Sequence, residues 1–122
     1  MASNLTVDTL SKGATTHNVD EIINKNSPQT ALAWAHFDGN NTGTIMSSYG
    51  VSSITDLSVG NYRGNFTTAM PDGNYSAFVS AQGGGSAEPD GWNTAYIQMT
   101  IRSNVTGSAV DQGHCAFIIY DN

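Results

Sequence analysis

The side chains of this 122-residue chain with the reactivity for catalysis are three histidines, one cysteine and ten carboxylates. A hydrolase needs a nucleophile, a base and an orienting group that converge in space. His17 lies near the N-terminus, His36 beside Phe37, and His114 just before Cys115. Neither Gly-x-Ser-x-Gly nor His-Glu-x-x-His occurs. His114 and Cys115 are neighbours in sequence, but adjacent strand residues point to opposite faces, so thiol and imidazole should not meet. Cys115 opens the apolar run Cys115-Ala116-Phe117-Ile118-Ile119-Tyr120 and reads as a small buried hydrophobe. Being the sole cysteine, it makes no intramolecular disulfide and no thiolate cage.

Glycoside cleavage uses paired carboxylates. Asp38, Asp56, Asp72, Glu88, Asp90 and Asp111 all fall in predicted turns, where aspartate is common for backbone reasons alone. The stretch Asp38-Gly39-Asn40-Asn41-Thr42-Gly43 has the opening of a calcium loop. Its twelfth position, however, is Tyr49 where a bidentate Glu is needed, so it reads as a hairpin turn. We therefore expect no catalytic residue, no enzyme activity, no metal and no cofactor.

Binding is the better-supported chemistry. Gln82-Gly83-Gly84-Gly85-Ser86-Ala87-Glu88-Pro89-Asp90-Gly91-Trp92-Asn93 reads as a mobile loop that ends in a tryptophan flanked by acids and amides. An exposed Trp92 with Glu88, Asp90 and Asn93 around it combines a stacking surface with directed hydrogen bonds, the physical recipe for a sugar face. Loops carry binding more often than strands do. The competing reading packs Trp92 into the core at the start of the next strand.

The elements that must hold these residues are strands. Charged residues are 11% of the chain, well below the roughly 25% usual in globular domains. Polarity comes instead from 13 Ser, 13 Thr, 12 Asn and 13 Gly, which suit turns and strand faces and compete with helices for backbone hydrogen bonds. From Ala31 the hydrophobic period is two: Leu32, Trp34 and His36 alternate with Ala33, Ala35 and Phe37. A turn at Asp38–Gly43 and a return strand over 44–51 make a hairpin. A short strand lies around Ile54, followed by a turn near Gly60-Asn61. Tyr62, Gly64 and Phe66 alternate next, Pro71-Asp72-Gly73 turns the chain, and Tyr75, Ala77 and Val79 continue the pattern. The clearest strand is 96–102, with Ile97, Met99 and Ile101 inward and Gln98, Thr100 and Arg102 outward; the last is 114–120. Seven or eight short strands with regular turns predict an all-β fold, a small antiparallel β-sandwich or jelly-roll-like domain over 31–122.

Residues 1–30 differ. Leu5-Thr6-Val7-Asp8-Thr9-Leu10 alternates like a short strand. A polar stretch runs to His17, Asn18 can cap one helical turn over 18–23, and Asn24–Thr30 reads as a linker ahead of the fold. With little to bury, chiefly Leu5, Val7, Leu10, Ile22 and Ile23, this segment reads as a docking arm that packs on something else. Net charge is −6 with four cations, which excludes a basic patch for nucleic acid. No run approaches the roughly 20 apolar residues of a membrane span, so no membrane insertion is expected. The N-terminus has neither a basic leader nor an apolar run, so no signal peptide is expected. Five Asn-x-Ser/Thr sequons, from Asn4, Asn40, Asn65, Asn74 and Asn104, are what chance gives in so Asn-, Ser- and Thr-rich a chain.

Three blocks add a further signal: Ala33-Trp34-Ala35-His36-Phe37-Asp38-Gly39, Val51-Ser52-Ser53-Ile54-Thr55-Asp56, and Phe66-Thr67-Thr68-Ala69-Met70-Pro71-Asp72-Gly73-Asn74-Tyr75. Their order and spacing resemble a repeated module of bacteriophage tail-fibre and other virion-appendage proteins. The match spans about a third of the chain, and Thr67-Thr68-Ala69-Met70-Pro71 is its most specific part. Asn40-Asn41 and Gly50 depart slightly from the pattern, and nothing after Ser80 matches it. The resemblance implies a non-enzymatic virion protein, a homotrimer in a tail appendage or on the capsid surface, with Trp34, Phe37, Tyr62, Phe66 and Tyr75 as core or subunit-interface anchors. It further implies other virion proteins as partners of the arm and a host cell-surface glycan as the ligand of a fibre tip. A small head fibre or capsid-decoration protein anchored by residues 1–30 is the alternative.

Overall fold

The computed structural model describes residues 9–12, 15–18, 31–83 and 85–120. The chain divides into two compact units, Met1–Thr30 and Ala31–Asn122. In the first, β1 (Thr9–Lys12) pairs antiparallel with β2 (Thr15–Asn18), Leu10 opposite His17. Thr9 and Leu10 of the expected strand Leu5–Leu10 are in a strand, and the polar stretch to His17 is paired strand where a connecting stretch was expected. The Thr-rich segment forms a hairpin, since β-branched threonines favour the extended backbone. Asn18 is the last residue of β2, and the helical turn expected over 18–23 otherwise lies outside the described residues. Of the arm residues only Leu10 is placed; Leu5, Val7, Ile22 and Ile23 lie outside the described residues.

The second unit is a β-sandwich. Its strands are β3 (Ala33–Asp38), β4 (Thr44–Tyr49), β5 (Val51–Ser58), β6 (Asn61–Phe66), β7 (Ser76–Ala81), β8 (Gly85–Trp92), β9 (Tyr96–Ser103) and β10 (Cys115–Tyr120). The first sheet has the order β4-β3-β10-β7 and the second β5-β6-β9-β8, all pairs antiparallel. No α-helix occurs among the described residues.

Alternation explains which side chains meet between the sheets. The first sheet contributes Ala33, Ala35 and Phe37 from β3 and Cys115, Phe117 and Ile119 from β10; the second contributes Tyr62 and Phe66 from β6 and Ile97, Met99 and Ile101 from β9. Side chains from the two inner faces interdigitate across the gap. Phe37 meets Tyr62 and Phe66 meets Tyr75 edge-to-face, at centroid distances of 5.2 and 5.7 Å. Gly64 is the hole in this jigsaw. A Cβ there would lie 2.3 Å from Cζ of Phe117, so the missing side chain is what lets that ring enter.

The return strand expected over 44–51 is cut in two at Gly50. With φ of +68° this residue turns the chain from β4 in the first sheet into β5 in the second, a conformation that glycine adopts without penalty. The turn before β4 is a 3-10 turn over Gly39–Asn41, capped by the Asp38 carboxylate, which accepts from Asn40 N at 2.9 Å. The carboxylate that suggested a calcium ligand is thus engaged with the backbone of its own turn.

Candidate functional site

The stretch read as a mobile recognition loop is, over Gly85–Trp92, an edge strand. Its Gly, Ser, Pro and Asp content argues for a loop, but pairing with β9 overrides that local preference. Pro89 is tolerated because an edge strand can spare a donor. A bulge between Pro89 and Gly91 inserts Asp90 as an extra residue and inverts the alternation beyond it.

That inversion separates the four candidate residues. Glu88 pairs opposite Thr100 on the outer face of the second sheet and approaches Arg102, with Oε1 3.4 Å from Nε. Asp90 lies on the same face and accepts a hydrogen bond from the Thr100 hydroxyl, which also lies 2.8 Å from Asn61 Oδ1. Past the bulge, Trp92 pairs opposite the inward residue Ile97 and turns toward the sandwich edge. There it is 47% exposed and lines an open recess of about 500 Å³ with Gly73, Asn74, Tyr75, Ser76, Ala77 and Phe78. Asn93 shapes the following turn, its Oδ1 accepting from Ala95 N at 2.9 Å. Trp92 therefore has neither carboxylate beside it. Thr100, expected outward, does point outward but is buried, because Asn61 and Asp90 cover it.

Other titratable groups serve as fasteners. The buried Tyr62 hydroxyl donates to Asp111 Oδ1 at 2.5 Å and lies 3.0 Å from the Gly39 carbonyl, while Gly60 N donates to the same Asp111 oxygen at 2.8 Å. This node links β6, the β3–β4 turn and the segment before β10. Burial first, then the hydrogen bond and charge of Asp111, raise the Tyr62 phenol well above its ordinary range. The Tyr75 hydroxyl lies 2.9 Å from the Asn93 carbonyl and 3.0 Å from that of Tyr96, and burial raises its phenol also. Cys115 is buried, donates its thiol to the Gln112 carbonyl at 3.3 Å and is pushed up to about 11 by burial. A thiol held protonated at neutral pH is a poor nucleophile. His114 turns away from Cys115 and meets His36 across the strands, Nε2 of His36 standing 2.9 Å from Nδ1 of His114. Among the described residues, no group of three or more His, Cys, Asp or Glu is placed to hold a metal ion.

The feature that the sequence reading missed is the outer face of the first sheet. The register aligns Tyr49, Trp34, Ile118 and Phe78 in one row across all four strands. Tyr120 stands beside Phe78, rings edge-to-face at 6.2 Å, and Leu32 continues the patch past the end of β3. Of Trp34, Phe37, Tyr62, Phe66 and Tyr75, only Trp34 is left out of the inter-sheet core. The signal was present in the sequence: between Leu32 and Phe37, the alternation offered two faces, and the face with two alanines and a phenylalanine went inside. Compared with protein-family models, curated proteins and solved structures, the chain matches none.

Proposed function

We propose that this chain is a non-enzymatic structural protein of a bacteriophage virion, a fibre or tip domain whose surface engages the host or a neighbouring component. The observation that carries this reading is the contrast in how side chains are used. Tyr62, Tyr75, Asp111 and Cys115 are spent on fastening the sandwich, while a broad row of aromatics stands on its outside. Such a chain is built to hold and to touch. The resemblance of the Trp34 to Tyr75 segment to virion-appendage modules supplies the setting, and with it a homotrimer, virion partners for residues 1–30 and a host cell-surface glycan as ligand.

The alternative, a small head fibre or capsid-decoration protein, draws support from the separate unit Met1–Thr30, which suits an attachment segment. Labelled-particle microscopy decides between them: signal at the tail tip favours the first, signal over the capsid the second, and particles without the chain sink both. Retention on purified host polysaccharide, lost in Trp92→Ala with folding intact, would place the ligand at the edge recess beside β8.

A further inference from the structure

We infer that copies of this chain meet through the outer face of the first sheet, with Tyr49, Trp34, Ile118 and Phe78 as the buried anchors. The inference deepens the proposed function, since it rests on a structural protein present in several copies, and it names the surface they share.

Four observations support it. First, the patch is exposed to a degree unusual for such side chains: Phe78 62%, Tyr49 59%, Leu32 42% and Ile118 38%, with Trp34 half-buried between them. Scattered apolar residues need no explanation, but a contiguous patch rimmed by Ser76, Ser80 and Ser47 does. Second, the face is nearly without charge. Among the described residues of β3, β4, β7 and β10 the sole charged side chain is Asp38, which caps the turn at one end. On a chain of net charge −6, a neutral face is where neighbouring copies can approach without repulsion.

Third, the rings do not form a flat platform. Phe78 and Tyr120 are inclined at 77°, standing side chains that interdigitate with another corrugated sheet better than they stack under a planar sugar ring. Fourth, the size fits. Four strands ~4.8 Å apart and about six residues long at ~3.3 Å each give a footprint of roughly 400 Å². Two such faces together hide on the order of 800 Å² or more, the scale of a weak specific interface rather than an obligate one. Assembly should therefore depend on concentration.

Sedimentation velocity of the full chain from low to high micromolar concentration tests this. The expected result is a multimer that dissociates on dilution, and that falls to the mass of one chain in Phe78→Asp and in Trp34→Asp. Circular dichroism and the thermal midpoint of Phe78→Asp in dilute solution should stay at the wild-type values. Ser86→Asp, which adds the same charge on the outer face of the second sheet, should leave the multimer unchanged. A chain that is monomeric at every concentration, or a multimer that survives both Phe78→Asp and Trp34→Asp, overturns the inference. A neutral polysaccharide that binds a monomeric wild type and is lost in Phe78→Asp also overturns it, while leaving the proposed function standing. Multimers through this face, on a chain absent from labelled particles, would do the reverse.

Discussion

The two outer faces of the sandwich are opposites in chemistry. On the second sheet the outward strand positions are mostly polar, the Tyr96 ring and the half-exposed Leu57 of β5 apart, and many are cross-linked. Asn65 Nδ2 donates to Ser53 Oγ at 3.0 Å and to Thr55 Oγ1 at 2.9 Å. Arg63 donates to Gln98 Oε1 at 3.2 Å and lies 4.4 Å over the Tyr96 ring, and Thr100 joins Asn61 to Asp90. This face is finished for water. The first sheet shows Tyr49, Trp34, Ile118 and Phe78 instead. One fold, with one core, thus presents a surface cross-linked by its own polar groups and a surface of exposed apolar side chains. A binding face in a β-sandwich can lie on the flat of a sheet, and loop composition alone does not locate it.

Three experiments bear on this contrast, in order of expected effect. Phe117 lies under both faces, its ring entering the gap at Gly64. Phe117→Ala should cost about 3–5 kcal/mol in urea unfolding and collapse both faces together, since buried phenylalanine is removed with little room to relax. A loss below about 1 kcal/mol would mean that the faces do not share a core.

Tyr62→Phe removes the hydroxyl that joins β6 to Asp111 and should cost about 1.5–3 kcal/mol, the range for hydrogen bonds to charged groups. It also tests a pH dependence. Tyr62 is raised above its ordinary 10.0, and Cys115 is raised from 9.0 to about 11, burial being the first cause in each. The folded chain holds both protons more tightly than the unfolded chain does. Their contribution to stability is therefore complete below about pH 9 and is lost as pH rises through about 11 and beyond. The thermal midpoint of wild type should fall across that window. Cys115→Ala should flatten the early part of the fall and Tyr62→Phe the later part; a wild-type midpoint constant with pH would contradict both assignments.

The smallest effects sharpen the comparison of faces most. In dilute solution Phe78→Ser should change unfolding free energy by no more than about 0.5 kcal/mol, because an exposed side chain has little to lose within one chain. Glu88→Gln, at the half-exposed pair with Arg102, should likewise cost no more than about 0.5 kcal/mol. The two should differ at high concentration, where only Phe78→Ser weakens assembly. Equal behaviour there would erase the distinction between the faces.

Much of the fold was legible. Ile97, Met99 and Ile101 alternate too regularly to be anything but a half-buried strand, and Tyr62, Gly64 and Phe66 follow the same rule. The region 82–93 was not. Gly85-Ser86-Ala87-Glu88-Pro89-Asp90 has low intrinsic strand preference, and only the exposed edge of β9 makes it extended. The candidate site suffered from the same blindness. Alternation says that Glu88, Asp90 and Trp92 share a face, yet one inserted residue at the bulge moved Trp92 to the other side. At Ala33–Phe37 alternation offered two faces but did not say which is inner, and Trp34 was placed by what the opposite sheet could accommodate.

The sequence by itself determined the class of the fold: period-two patterning, few charges and abundant turn residues leave the backbone little choice but paired strands. It also pointed to a buried Cys115, which shares the inward face of an alternating strand with Phe117 and Ile119. Only the tertiary structure decided which side of β3 faces in, where the chain changes sheets, and which aromatics remain outside. Those outcomes depend on volumes that must fit across a gap about 10 Å wide, and no single strand carries the shape of the surface opposite it.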